Sequence, residues 1–366
     1  MFFPDFSNYS QNSLQKTKLS LNHHGGKLKS AAEKYGISLS EWLDLSTGIN
    51  PNGWPVPTLP TEVWSRLPEA EDGLQQAAIE YYDANNCLPI PGSQTAIQLL
   101  PQLFSQSIKS RLTVGIIRPT YNEHEHAWSK NGHLVIPLSI DRDIIEKIID
   151  RLDVLIVVNP NNPSGQTFPI EILLTWHKKL QQDGGWLIVD EAFIDTTPKE
   201  SIVKHSSKPG LIILRSLGKF FGLAGIRVGF IFTEQSLLDQ FNAQIGPWPV
   251  STPARWIAEN ALRDTEWQRT NRIYLANQSK LLMDVLKNNN LQPSGDCSLF
   301  SWIKHDNAKM LHRLLAQQGI FTRLFDSPNS IRFGLPKNNT ELNRLNESLA
   351  SIHKTQTCNR IKENTI

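Results

Sequence analysis

One lysine, Lys219, stands in a run of small and aromatic residues, Ser216-Leu217-Gly218-Lys219-Phe220-Phe221-Gly222-Leu223-Ala224-Gly225-Ile226-Arg227-Val228-Gly229, directly after the apolar stretch LIILRS. A lysine attacks a carbonyl only as the free amine, so it needs a site that lowers its pKa. Burial and a nearby cation such as Arg227 both push in that direction. Arg227 also suits bidentate binding of a phosphate. A surface lysine is the ordinary alternative, and the hydrophobic, glycine-rich surroundings argue against it.

Three further signals precede it. Gly92-Ser93-Gln94-Thr95 opens a helical stretch, where free backbone N–H groups and the helix dipole favour an anion; Ser93 could equally be a simple cap. Asn159-Pro160-Asn161-Asn162-Pro163-Ser164-Gly165 follows the apolar run VLIVV. Its prolines and glycine force a rigid turn that leaves Asn162 at the carboxyl end of a strand, where open α/β sheets bind ligands. Asp190-Glu191-Ala192-Phe193 closes the run WLIVD. A carboxylate there must be paired or placed in a polar site. A protonated pyridine nitrogen, a metal ion and a helix cap are all suitable partners for Asp190.

These residues need a frame. Short apolar runs at Leu112–Arg118, Leu134–Leu138, Val154–Asn159, Trp186–Asp190, Leu211–Ser216 and Arg227–Phe232 predict strands. Between them, Gln94–Gln106, Glu123–Lys130, Ile144–Leu152 and Pro169–Gln182 carry helical spacing. The alternation implies an α/β fold whose large domain, 71–254, has a mostly parallel central sheet covered by helices. Residues 21–70 are rich in Gly, Pro and Asn and read as turning loops. After Pro249 the texture predicts a long helical stretch over 253–288, a strand at Leu299–Lys304, a helix near Ala308–Gln318, a strand at Ile331–Leu335 and a terminal helix. Segments 21–70 and 255–366 are therefore expected to form a smaller α+β domain with substrate-binding segments, preceded by a loose arm at 1–20.

Composition narrows the possibilities. The 366 residues suit two domains, and 37 basic against 35 acidic side chains leave a net charge of +2, with no dense basic stripe for a nucleic acid. No apolar run approaches the ~18 residues of a membrane span. Three widely separated cysteines, Cys87, Cys297 and Cys358, fit neither a disulfide framework nor a metal site. The expectation is a reduced, soluble compartment, the cytoplasm, with no metal, nucleic acid or membrane partner.

No single motif decides the chemistry, but NPNNPSG, DEAF and SLGKFFGLAGIRVG, in that order, resemble the cofactor signatures of the fold type I, class I/II aminotransferase superfamily of pyridoxal 5'-phosphate (PLP) enzymes. The resemblance extends over nearly all of 22–350. It implies that Lys219 carries PLP as a Schiff base, that Asp190 pairs with the pyridinium nitrogen and that Asn162 meets the phenolic oxygen. It also implies that Ser93, Gln94, Ser216 and Arg227 hold the cofactor phosphate. Tyr121, in PTYNEHEHAW, would stack on the ring, or is a half-buried loop aromatic. Arg332, in SIRFGLP, would bind the substrate carboxylate, or is an exposed strand arginine.

Within the superfamily, His24-Gly25-Gly26 and Asp44-Leu45-Ser46-Thr47-Gly48-Ile49-Asn50-Pro51-Asn52-Gly53 resemble the threonine-phosphate decarboxylases of cobalamin biosynthesis. These are relatives of the histidinol-phosphate aminotransferases. The resemblance places His24, Gly25, Gly26, Asn50, Asn162, Arg323 and Arg332 at a small phosphorylated amino-acid substrate; a glycine turn with a solvated histidine is the plain alternative for the first four. It also implies a homodimer. Two departures stand out: Phe193 replaces a common tyrosine, and Leu67-Pro68 replaces a Tyr-Pro pair whose tyrosine reaches the neighbouring subunit's cofactor. Transamination, and a PLP fold with no turnover, are the rival readings.

Overall fold

The computed structural model describes residues 25–108 and 110–363, with side chains to 354. Its central sheet comprises β2 (Leu88–Ile90), β3 (Thr113–Arg118), β4 (Leu134–Ser139), β5 (Val154–Val158), β6 (Trp186–Asp190), β7 (Leu211–Ser216) and β8 (Gly229–Phe232), in the order β2-β8-β7-β6-β5-β3-β4. Pairings from β7 to β4 are parallel, and β8 runs antiparallel to both of its neighbours. The β-branched runs VLIVV and WLIVD are buried on both sides, as an internal parallel sheet requires. Alternate side chains divide between two cores: Val154, Ile156, Ile188 and Ile212 enter one, while Leu155, Val157, Leu187 and Ile213 enter the other.

Helices α2 (Leu74–Tyr82), α5 (Arg142–Ile148) and α6 (Ile170–Gln182) contribute to the second core, and α3 (Ser93–Ser107), α4 (Asn122–Lys130) and α7 (Gln235–Ile245) to the first. The carboxyl ends of β3, β5, β6 and β7 consequently share one edge. Tyr121, Asn162, Asp190 and Lys219 all follow or close those strands.

A second sheet has the order β1-β11-β12-β10-β9, built from β1 (Leu43–Leu45), β9 (Gly295–Cys297), β10 (Phe300–Lys304), β11 (Ile320–Asp326) and β12 (Asn329–Gly334). β1 lies parallel to β11, so the segment after α1 (Leu28–Tyr35) completes a sheet whose other strands come from beyond residue 294. Antiparallel pairing puts Arg323 opposite Arg332. Helix α10 (Ala308–Gln317) packs against β11, and α11 (Asn339–Glu363) ends the described chain.

Three expectations need correction. Residues 21–70 contain α1 and β1 as well as loops; α1 is short and stops at Gly36, which takes a left-handed conformation. The stretch 253–288 is two helices, α8 (Thr252–Arg263) and α9 (Thr265–Asn288). Asp264 leaves helical geometry between them and caps α9 by accepting from Trp267 N at 3.0 Å. The last strand before α7 begins at Gly229, because Arg227 has φ 54° and cannot extend it.

Candidate active site

The anion cradle is made by close approach. Gly92 has φ 75°, and a Cβ there would lie 2.6 Å from Nη2 of Arg227. Ser93 and Gln94 supply the first, unpaired turn of α3 beside it. Gly229 is opposite Ser216 in the β7–β8 pairing, and a Cβ on it would meet Ser93 N at 2.6 Å. Ser93, Gln94, Ser216 and Arg227 thus converge on one small volume with a positive end of a helix in it.

Asp190 is buried at the end of β6. Its Oδ2 meets Nε2 of His124 at 2.9 Å, and its Oδ1 accepts from Ala192 N at 3.1 Å. His124 lies in the first turn of α4 and is itself buried. Sequence reasoning missed this histidine; its position three residues after Tyr121, on the same side of a helix start, is the signal that could have found it. Tyr121 donates to Oε1 of Gln94 at 3.1 Å, and Gln94 donates to Oε2 of Glu123 at 2.9 Å. The Gln94 side chain therefore fixes Tyr121 in addition to its backbone place in the cradle. Burial pushes the Tyr121 phenol well above its usual range.

The Asn162 loop is pinned from within. Asn159 exchanges hydrogen bonds with Phe168 N and O, and Asn161 donates to Pro119 O at 2.8 Å while accepting from Thr120 at 2.8 Å. Glycines seat it against the second sheet: a Cβ on Gly165 would fall 2.0 Å from Asp296 O. Asn162 Oδ1 accepts from Nη1 of Arg332. Arg332 also donates to Ser46 O at 3.2 Å, and its guanidinium sits 4.9 Å from the Phe300 ring centre. Arg323 is half-buried one strand away. Burial, with Arg323 as a neighbouring cation, brings Arg332 down to about 10; burial also brings Arg323 down to about 10.

Lys219 is half-buried, its Nζ 5.3 Å from the centre of the Phe193 ring. Burial, then the charges of Arg332 and Arg227, lower its pKa to about 8, with Asp190 pulling the other way. The free amine that a nucleophile needs is accessible near neutral pH. Phe193 places an apolar face where a hydroxyl could have stood, and packs edge-on to Phe300 at 5.2 Å.

The N-terminal segment reaches this site through Ser46. Gly26 N donates to Ser46 Oγ at 3.0 Å, Ser46 Oγ donates to Asp44 at 2.6 Å, and a Cβ on Gly25 would lie 2.5 Å from Ser46 O. The same carbonyl holds Arg332. His24 lies outside the described residues. Asn50, expected at the substrate, instead turns inward: it is buried, with its amide hydrogens on Phe220 O and Asn271 Oδ1.

The pattern of the class I and II aminotransferases matches residues 64–349. The chain belongs to that family. Among its curated members, the threonine-phosphate decarboxylase of Pseudomonas aeruginosa is 47% identical over 89% of this chain and 96% of its own length. That of a Sinorhizobium species is 38% identical over 90% and 98%. A histidinol-phosphate aminotransferase of Buchnera aphidicola is 29% identical over 71% and 76%. Among solved family structures, the histidinol-phosphate aminotransferase of Sinorhizobium meliloti in complex with pyridoxal-5'-phosphate superposes with TM-score 0.77 at 19% identity, covering 96% of this chain and 99% of that one. The L-threonine-O-3-phosphate decarboxylase of Porphyromonas gingivalis gives 0.70 at 18%, over 85% and 99%. At those identities the two structures speak for the family fold.

Proposed function

We propose that this aminotransferase-family chain binds PLP through Lys219 and decarboxylates L-threonine O-3-phosphate to (R)-1-amino-2-propanol O-2-phosphate, a step of cobalamin biosynthesis. The observation that carries the reading is the Ser46 junction, where the Gly25-Gly26 turn and Arg332 meet one residue. It joins the N-terminal motif to the arginine chosen for the carboxylate, and the two relatives above 30% identity over about nine-tenths of the chain point the same way.

The residues fit the cofactor: the Gly92–Arg227 cradle suits a phosphate, and Asp190, already oriented by His124, suits a protonated ring nitrogen. When bound, PLP supplies an electron sink for the bond broken at Cα. The protein supplies orientation. Arg332 and Arg323 are two low-lying cations on adjacent strands, one for the substrate carboxylate and one for its phosphate. Holding the substrate at both ends turns the Cα–carboxylate bond to the face where it can break. The bond breaks with loss of carbon dioxide, its electron pair stays at Cα, and Lys219 Nζ returns a proton there. A depressed amine is suited to move a proton in both directions near neutral pH.

Trp64, Leu67 and Trp248 are 69%, 61% and 57% exposed. Thr252 at the start of α8 donates to Arg66 O, which ties together the two segments that carry these apolar side chains. Such a patch favours a homodimer. The free thiols of Cys87 and Cys297 suit a reducing compartment, and we place the reaction in the cytoplasm. The deciding experiment supplies O-phosphothreonine to PLP-loaded protein. Carbon dioxide released without a 2-oxo acid supports decarboxylation; turnover of histidinol phosphate that depends on a 2-oxo acid refutes it in favour of transamination.

A further inference from the structure

Three consecutive carbonyls begin at the lysine of the site, and one short segment from the N-terminal part of the chain takes all three. Asn50 N donates to Lys219 O at 3.0 Å and Trp54 N to Phe221 O at 2.8 Å. Between them, Asn50 Nδ2 donates to Phe220 O at 2.9 Å. The second amide hydrogen goes to Asn271 Oδ1 at 3.2 Å, and Asn50 Oδ1 accepts from Asn52 N at 2.9 Å. An anionic substrate group needs a donor, and Asn50 has none left.

The segment is fastened on its other side as well. Asn52 Nδ2 donates to Tyr274 Oη and to Lys337 O, each at 2.8 Å, and Trp54 Nε1 donates to Asp264 Oδ2 at 2.9 Å. Asn271 and Tyr274 are on α9, and Lys337 follows the end of β12, the strand of Arg332. Gly53 and Gly222 lie so close that a Cβ on Gly222 would be 2.5 Å from Gly53 Cα. Trp267 of α9 stacks on Phe221 at 5.6 Å, closing the loop from behind.

We propose that Asn50 is a positioning residue for Lys219, and that residues 50–54 form a strap holding the lysine-bearing loop in register with the strand that carries Arg332. The inference rests on the reading that Lys219 bonds the cofactor. Its importance is geometric: returning a proton to Cα needs Nζ at a fixed distance, and a displacement of about 1 Å costs on the order of 100-fold. The loop's own hold on Lys219 O is the single bond from Gly222 N at 3.1 Å, which the strap doubles while adding the holds on Phe220 O and Phe221 O.

The test uses PLP-loaded wild type, Asn50→Ala and Asn271→Ala. The second variant removes one acceptor only and guards against loss of folding in the first. Three quantities are read: the lysine labelled on borohydride reduction, the pH midpoint of the visible cofactor band, and the kcat and KM for O-phosphothreonine. The expected result for Asn50→Ala is label still on Lys219, a midpoint raised by about half a unit or more as Nζ becomes hydrated, kcat down roughly tenfold or more and KM little changed. Asn271→Ala should move midpoint and kcat the same way by less. A KM rise of about tenfold with kcat and midpoint unchanged would make Asn50 a substrate ligand and overturn the proposal, as would unchanged values in both variants. Label on another lysine in the wild type overturns the Lys219 reading itself, a failure visible without any variant.

Discussion

Arg215 is 1% exposed on the reverse face of the sheet, between two buried carboxylates. Its Nη1 donates to Glu191 Oε2 at 2.9 Å, its Nη2 pairs with Asp195, and its guanidinium lies 4.3 Å from the Tyr82 ring centre. Glu191 adjoins Asp190 in sequence, so this group clamps the same strand ends that deliver the site. Replacing Arg215 with methionine keeps much of the volume but leaves two buried carboxylates short of a cation. Removing one member of such a buried pair costs about 3–5 kcal/mol, a large part of the roughly 5–15 kcal/mol that holds a domain together.

The pH dependence follows from linkage. Burial already pushes Glu191 above the usual carboxylate range, and Arg215 opposes that push. Without the arginine the carboxyl rises further in the folded state only. Between the unfolded and folded values the folded protein then binds more protons, so stability falls as pH rises. The deficit of Arg215→Met relative to wild type should be largest at pH 8 and should shrink at pH 5.5. Urea unfolding of the cofactor-free protein, followed by tryptophan fluorescence, measures both. Adding Glu191→Gln removes one stranded charge and should recover part of the loss. A deficit under about 1 kcal/mol, or one equal at the two pH values, would refute the reasoning.

The other expectations concern the site. Lys219→Ala should abolish covalent attachment of PLP, checked by borohydride reduction and mass spectrometry, and should lower turnover by roughly 100- to 10,000-fold. Because Lys219 sits at about 8, the fraction of free amine, and with it the rate of PLP attachment, should rise about tenfold between pH 7 and pH 9; stopped-flow absorbance gives the profile, and a flat one would contradict the lowered value. Arg332→Lys loses the planar fork and should reduce kcat/KM for O-phosphothreonine by about 10- to 150-fold, the equivalent of ~1.5–3 kcal/mol for a charge-assisted contact. Gly25→Ala puts a Cβ 2.5 Å from Ser46 O, so KM should rise while the spectrum of the PLP-loaded protein stays that of the wild type.

Much of this was legible before any coordinates. The runs VLIVV, WLIVD and LIILRS announce strands because β-branched residues without polar alternation suit a sheet buried on both faces, and β6 and β7 begin and end where their sequences say. Asp190, Asn162 and Lys219 were locatable for the same reason: each closes or follows such a run. Tertiary partners were not legible. The N-terminal motif places Asn50 at the substrate and gives Ser46 no role, yet Asn50 meets Phe220 O, 170 residues on, and Ser46 O meets Arg332, 286 residues on. Nothing in local spacing distinguishes a side chain aimed at ligand from one aimed at a distant carbonyl. Asp264 illustrates a different failure: helical texture on both sides hid an N-cap that only its break in backbone direction reveals.

The parallel pairing of β1 with β11 also bears on how the chain is made. Leu43–Leu45 leave the ribosome early, while their partners Ile320–Thr322 are synthesised roughly 275 residues later. At about 5–20 residues per second, that interval is roughly 15–55 s. During it the nascent segment has an open strand edge and no sheet to join, whereas the seven-stranded sheet, completed by Phe232, can form first. Ordered assembly of this kind makes the N-terminal motif settle together with Arg323 and Arg332, after the rest of the site, and leaves its strand edge in need of cover during translation.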